Sequence, residues 1–428
     1  MRTFLSLATT TLFAAGALAQ GSLTPPTGPA PSMKTLGQIE PRVPIERLPF
    51  KISASGSYYV GTNLIIASGG GISVEADHVT LDLGGFNMRG DATSLQAIVI
   101  TTGRSDISIK NGSITGSQIG IDGAAASRVH VRNVRVTGAG AGISLGGEAS
   151  VEDCLASDNE GTGIKVGVAS TVANSRADHN LANGIDTGAK SSVRDCSASG
   201  NSQAGFVLGN SSKGARLSAT ENTGIGISGG SSVHLTDCTA SLNRAEGISL
   251  GDLAHVTASA ANSNIRTGIN AGEAATILDS VASGNTLNGI VVRNGGHVTN
   301  CKANGNITGG IDANDGSSIT GCSVEGNIGN GISVSDQCTV SNNHCVRNSS
   351  LRGAAGIAAT GNDNVIKENN TVSNDRGISL EGANNLAVKN TISNNSLNLY
   401  VIGEQKVAPV VQDFLQTTDV HPLANVVF

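Results

Sequence analysis

One dipeptide returns at a constant interval along most of the chain. Gly-Ile, or Gly-Phe once, stands at Gly142, Gly163, Gly184, Gly205, Gly226, Gly247, Gly268, Gly289, Gly310 and Gly331, nine equal steps of 21. Looser copies precede it at Gly71, Ala97 and Gly120, and others follow at Gly356, Gly377 and Asn398, making about sixteen repeats. A unit this short cannot enclose a core alone. Its neighbours must stack on it, so a fixed period of this size specifies a solenoid.

The columns of the repeat say which solenoid. One place after the anchor comes a large apolar residue (Ile143, Ile164, Ile185, Phe206, Ile227), and three places after it another (Leu145, Val166, Leu208). Alternation over so short a run is strand behaviour, and no stretch carries a helical 3.6 period. Four places on, Gly146, Gly167, Gly188 and Gly209 predict a turn that needs positive φ. A second apolar row follows at nine places (Val151, Val172, Val193) and a third at fourteen (Ala156, Ala177, Ala198). The coil therefore reads as three short strands and three corners, an all-β parallel stack.

The sharpest column lies seventeen places after the anchor. It holds Asn159, Asn180, Asn201, Asn222, Asn243, Asn264, Asn285, Asn306, Asn327 and Asn348, with Asn394 later in the same register. At an inward corner, stacked amides donate and accept between coils about 4.8 Å apart and pair turn groups that would otherwise be orphaned. In this the chain resembles the right-handed parallel β-helices of the pectate-lyase-like superfamily, over about residues 71–400. The resemblance implies a right-handed solenoid with an asparagine ladder. It also implies that catalytic members would use acid pairs, or calcium with a basic residue, on one face. Residues 52–60 resemble the N-terminal cap of uncharacterised secreted bacterial β-helix proteins, and residues 76–85 their first coil. The latter pattern also occurs in the β-helix family that matures periplasmic nitrous-oxide reductase, a hint of copper.

Ahead of the solenoid, Met1-Arg2-Thr3, an apolar run over residues 4–16 and Ala17-Leu18-Ala19 read as a signal peptide, residues 1–19. Residues 20–50 form a Pro-rich extension; seven of the nine prolines fall within 21–49. The β-helix with its N-terminal cap is expected over 51–400, and a C-terminal cap over 401–428. Secretion, or residence in the periplasm or cell envelope, follows. The 27 basic and 33 acidic residues give a net charge of −6, which argues against a nucleic-acid surface. Beyond the N-terminus no apolar run is long enough to span a membrane as a helix.

Seven cysteines in a secreted chain suggest disulfides. Yet Cys154, Cys196, Cys238, Cys301 and Cys322 share the column twelve places after the anchor, and Cys338 and Cys345 also fall in inward columns. They are expected to be buried free thiols. His234, His255 and His297 share an outward column, with the first two in adjacent coils, where a shared metal competes with a plain solvated row. Asp312-Ala313-Asn314-Asp315-Gly316 carries calcium-type ligands that are equally ordinary turn residues. No cofactor is otherwise implied.

The one catalytic constellation that can be assembled runs through the column eleven places on, where Arg216 should stack between Asp195 and Asp237. Alternating signs there also form a charge ladder that avoids like-charge repulsion. A second candidate is basic. The step from Gly331 to Gly356 is 25 instead of 21, and near the insertion lie the binding candidates Arg347, Arg352 and Arg376, with His344 and Lys367. Aromatics are 2% of the chain, and none but Phe206 lies between Asn87 and Asn398, so sugar-stacking platforms are lacking. The sequence thus favours a non-catalytic surface-binding or envelope protein, with extracellular polysaccharide as the partner. The alternative is a polysaccharide lyase or glycoside hydrolase.

Overall fold

The computed structural model describes residues 40–67, 70–91, 93–348, 353–411 and 421–428. The signal peptide, most of the Pro-rich extension and Arg352 lie outside them. Contacts divide the chain into Met1–Arg42 and Val43–Phe428. Of the first unit, Glu40 and Arg42 are seen clasped at 2.7 and 2.8 Å. The second is the solenoid, and no helix occurs among its described residues.

Three rows of parallel strands run along it. Among the described residues the first row has seventeen strands, from Phe50–Ile52 to Leu397–Val401. That is one coil more than the anchor count, because Phe50–Ile52 pairs in register with Ile72–Val74. Second- and third-row strands alternate along the chain, as in Ser150–Glu152 and Leu155–Ser157. In-register pairing stacks Ile143 on Ile164, Val151 on Val172 and Ala156 on Ala177, all at most 1% exposed. Each buried Ile or Val contributes roughly 1.5–3 kcal/mol, and the contribution recurs in every coil.

The corners follow one rule. Six, eleven and sixteen places after the anchor the backbone turns through left-handed φ, as at Lys190 (60°), Asp195 (56°) and Gly200 (65°). The next residue in each case (Ser191, Cys196, Asn201) points inward and is buried. Asp, Asn and Gly tolerate left-handed φ best, which explains why the column of Asp195 and Asp237 is rich in them. The glycines four places after the anchor differ from expectation. Gly167 and Gly188 lack positive φ; instead, a Cβ on either would lie 2.6 Å from backbone of the preceding coil. Crowding between coils selects glycine there.

The asparagine ladder is continuous from Asn159 to Asn348. Asn180 is representative: its Nδ2 donates to Asn201 Oδ1 at 3.0 Å and to the Ala156 carbonyl at 3.1 Å, while its backbone N–H donates to Asn201 Oδ1 at 3.0 Å. The anchor glycines make room for it, since a Cβ on Gly226 would sit 2.6 Å from Asn243 Nδ2. Beyond the insertion the ladder passes to Asn374 and Asn395. Asn394, expected from the period, instead holds the left-handed corner at 59°. One extra residue before the Val365–Lys367 strand, visible as Val340 pairing with Ile366, shifts the register by one. In the last coils the other two corners carry amide ladders as well, Asn343–Asn369–Asn390–Asn425 and Asn364–Asn385–Gln405. At the N-terminal end Tyr58 meets Phe50 edge-on, with ring centres 6.3 Å apart.

All seven cysteines are buried and free. Cys154 Sγ donates to the Glu152 carbonyl at 3.1 Å, the same geometry that Ser175 Oγ adopts with Ala173 at 2.7 Å. Cysteine here is a less polar serine at an inward corner. Burial raises the thiols of Cys154, Cys196 and Cys238 to about 11.

Candidate functional site

In two coils the second and third rows fuse into unbroken strands, Ser105–Thr115 and Ser127–Thr137. They bend at Asn111 and Asn133, whose φ values are 59° and 52°. Outside this bend lies a depression of about 340 Å³, lined by Gly85, Asn111, Ser113, Asn133, Arg135 and Asp153. It continues past Lys110 and Arg132 onto the second-row face at His130, Ser150 and Glu152. The floor is a chain of polar groups. Asn133 Nδ2 donates to Asn111 Oδ1 at 3.1 Å, and Asn111 Nδ2 donates to Asp82 Oδ1 at 3.2 Å.

The cations around it differ in availability. Arg132 Nε lies 3.2 Å from Asp153 Oδ2, and Lys110 Nζ 4.0 Å from Asp82 Oδ2. Arg135 is exposed on the third row and has no ion-pair partner among the described residues. Amides, hydroxyls and one unpaired guanidinium, spread over adjacent coils, suit a ligand that carries hydroxyls and carboxylates. The 21-residue period does not reveal this depression, because these coils lack the regular break between rows. A signal was nonetheless present: Arg128, His130, Arg132 and Arg135 stand on one strand.

The residues singled out from the sequence fall elsewhere. Arg216 donates to both oxygens of Asp195, at 2.6 and 2.9 Å, and makes no ion pair with Asp237. Arg216 stands between the coils of Asp195 and Asp237, and its ion pair is with Asp195 alone. The hydrogen bond to Arg216 lowers the pKa of Asp195 and raises that of Arg216, which keeps the guanidinium a charged donor and unsuited to act as a base. Arg347 pairs with Glu325 at a third corner. Arg376 lies 3.6 Å over the Tyr400 ring and 3.4 Å from Glu381. His344 faces outward on the third row and Lys367 on the second, so these basic residues occupy separate faces.

Asp312 borders a pocket of about 150 Å³ with Asn288 and Asn330, and burial raises its pKa. Asp315 instead accepts the Asp336 backbone N–H at 3.1 Å. His234 and His255 stack with ring centres 4.6 Å apart, and burial, then His255 and Lys213, hold the pKa of His234 below the ordinary range. Among the described residues no three His, Cys, Asp or Glu side chains converge as a metal site, and no helix is long and apolar enough to cross a membrane.

Stacked coils, inward corner ladders and parallel rows define a repeat protein of the β-helix class. The family model for the right handed beta helix region matches residues 52–192, 96–240 and 288–410. The chain belongs to that family. No curated protein matches the sequence. Similar solved structures include the A-module of the Azotobacter vinelandii mannuronan C-5 epimerase AlgE4, at 15% identity, covering 83% of this chain and 91% of that one, with a TM-score of 0.30. The periplasmic alginate epimerase AlgG is 12% identical over 85% of this chain and 78% of its own, with a TM-score of 0.27. The Dettilon tailspike protein is 12% identical over 71% and 59%, with a TM-score of 0.26.

Proposed function

We propose that this is an extracytoplasmic β-helix protein that holds an acidic polysaccharide in the depression across Lys110, Arg132 and Arg135, without turning it over. The observation that carries the reading is Arg135, an exposed guanidinium without an ion-pair partner among the described residues, set beside the Asn111–Asn133 amide chain. The coil rise of about 4.8 Å is comparable to the length of one sugar unit, so successive coils can meet successive units. Export rests on the N-terminal segment 1–19, whose basic start, apolar run and small-residue cleavage site suit secretion to the periplasm or beyond.

The test is retention on immobilised pectate and alginate at low and moderate salt. Arg135→Ala is expected to reduce retention at least tenfold, and Arg347→Ala with Arg376→Ala to leave it near wild type. Wild-type retention by Arg135→Ala would overturn the assignment of the site. Release of unsaturated uronate by the wild type, with or without calcium, would overturn the non-catalytic reading. Loss of that release in Arg216→Ala would then place the chemistry at Asp195, Arg216 and Asp237.

A further inference from the structure

We infer that His234 and His255 form a two-ligand site for a divalent transition cation, bridging adjacent coils on the outer face of the second row. The two residues are register partners on neighbouring parallel strands, His234–Thr236 and His255–Thr257. Both are exposed, and their rings lie 4.6 Å apart, tilted by 35°. Strands that stack in register hold the two Cα atoms at rung spacing whatever the side chains do. The cost of bringing the ligands together is thus met by the fold.

Metal–imidazole bonds are about 2.0–2.1 Å long, so one cation needs two ring nitrogens only about 3 Å apart. With ring centres 4.6 Å apart, a modest turn of each exposed side chain brings one nitrogen of each to that spacing. Imidazole selects borderline cations such as nickel or zinc over calcium, which wants oxygen. Two protein ligands leave the remaining positions to water or to a ligand from solution.

The same row supplies its own controls. His297 is two coils beyond His255, with Thr276 between them, so it is a lone imidazole in an identical setting. Lys213 is the register partner of His234 on the other side, and its ammonium opposes an incoming cation. The pair is four coils along the row from Ser150, so this inference is independent of the polysaccharide reading.

The experiment is calorimetric titration of the tag-free chain with Ni²⁺, with circular dichroism to confirm that each variant is folded. One Ni²⁺ per chain is expected. His234→Ala and His255→Ala should each weaken binding at least tenfold, His297→Ala should leave it unchanged, and Lys213→Ser should tighten it severalfold. Equal affinity of the wild type and the double variant His234→Ala/His255→Ala would overturn the inference. So would a loss in His297→Ala as large as that in His255→Ala.

Discussion

Replacing Asn243 by Ala tests whether the ladder stabilises the stack. The side chain is fully buried and makes four hydrogen bonds. Its Oδ1 accepts from Asn222 N and Nδ2, both at 3.0 Å, and its Nδ2 donates to the Ala219 carbonyl at 3.2 Å and to Asn264 Oδ1 at 3.0 Å. Truncation leaves Asn264 Oδ1 still paired with the Asn243 backbone N–H. It orphans the Asn222 backbone N–H and one proton of the Asn222 side-chain amide, each costing about 1–3 kcal/mol when buried. The vacated space has enough polar partners to hold one water, which re-pairs part of them and brings the net loss to about 2–3 kcal/mol. In a repeat array such a loss is felt mainly by the coils that share the interface. Hydrogen exchange read by mass spectrometry should therefore show protection over the coils from Asn222 to Asn264 falling by about 30- to 150-fold. Protection should be unchanged in the first coils. Ser249→Ala, on the outer face of the next coil, should cost less than about 0.5 kcal/mol. Equal protection in Asn243→Ala and Ser249→Ala would falsify the claim that the ladder carries stability.

Two further outcomes follow from the corners. Gly188→Ala pushes a Cβ against the preceding coil and should cost about 1–3 kcal/mol, more than Gly305→Ala, where φ is 63° but the space is open; the opposite ranking of thermal midpoints would refute crowding as the reason for the column. The thiols of Cys154, Cys196 and Cys238 stay protonated to about 11 when folded, while unfolded thiols ionise near 9. Between those values the unfolded chain binds fewer protons, so stability present below about pH 9 is lost as pH rises toward 11. Changing all three to Ser, the residue native at position 175 in the same column, should flatten that alkaline loss in melts followed by circular dichroism; an unaltered slope would show that the thiols are not its source.

The period of 21 was sufficient by itself for the solenoid, its three strand rows, the inward cysteines and the ladder from Asn159 to Asn348. In-register stacking exposes each position to the same neighbours in coil after coil, so a physical requirement repeats as a column of letters. Wherever a property depended on something other than that repetition, only the folded chain decided it. Phe50–Ile52 joins the first row by pairing with Ile72–Val74, although it lacks the anchor dipeptide. Asn395 replaces Asn394 because an extra residue in the preceding turn moves the register. Arg216 leans toward Asp195 and leaves Asp237 aside, a choice of direction along the axis that spacing leaves symmetric. The depression at Arg135 arises where two rows fuse across Asn111 and Asn133, in coils whose irregularity weakens the periodic signal. Periodicity specifies what all coils share, and the depression is built from the coils that differ.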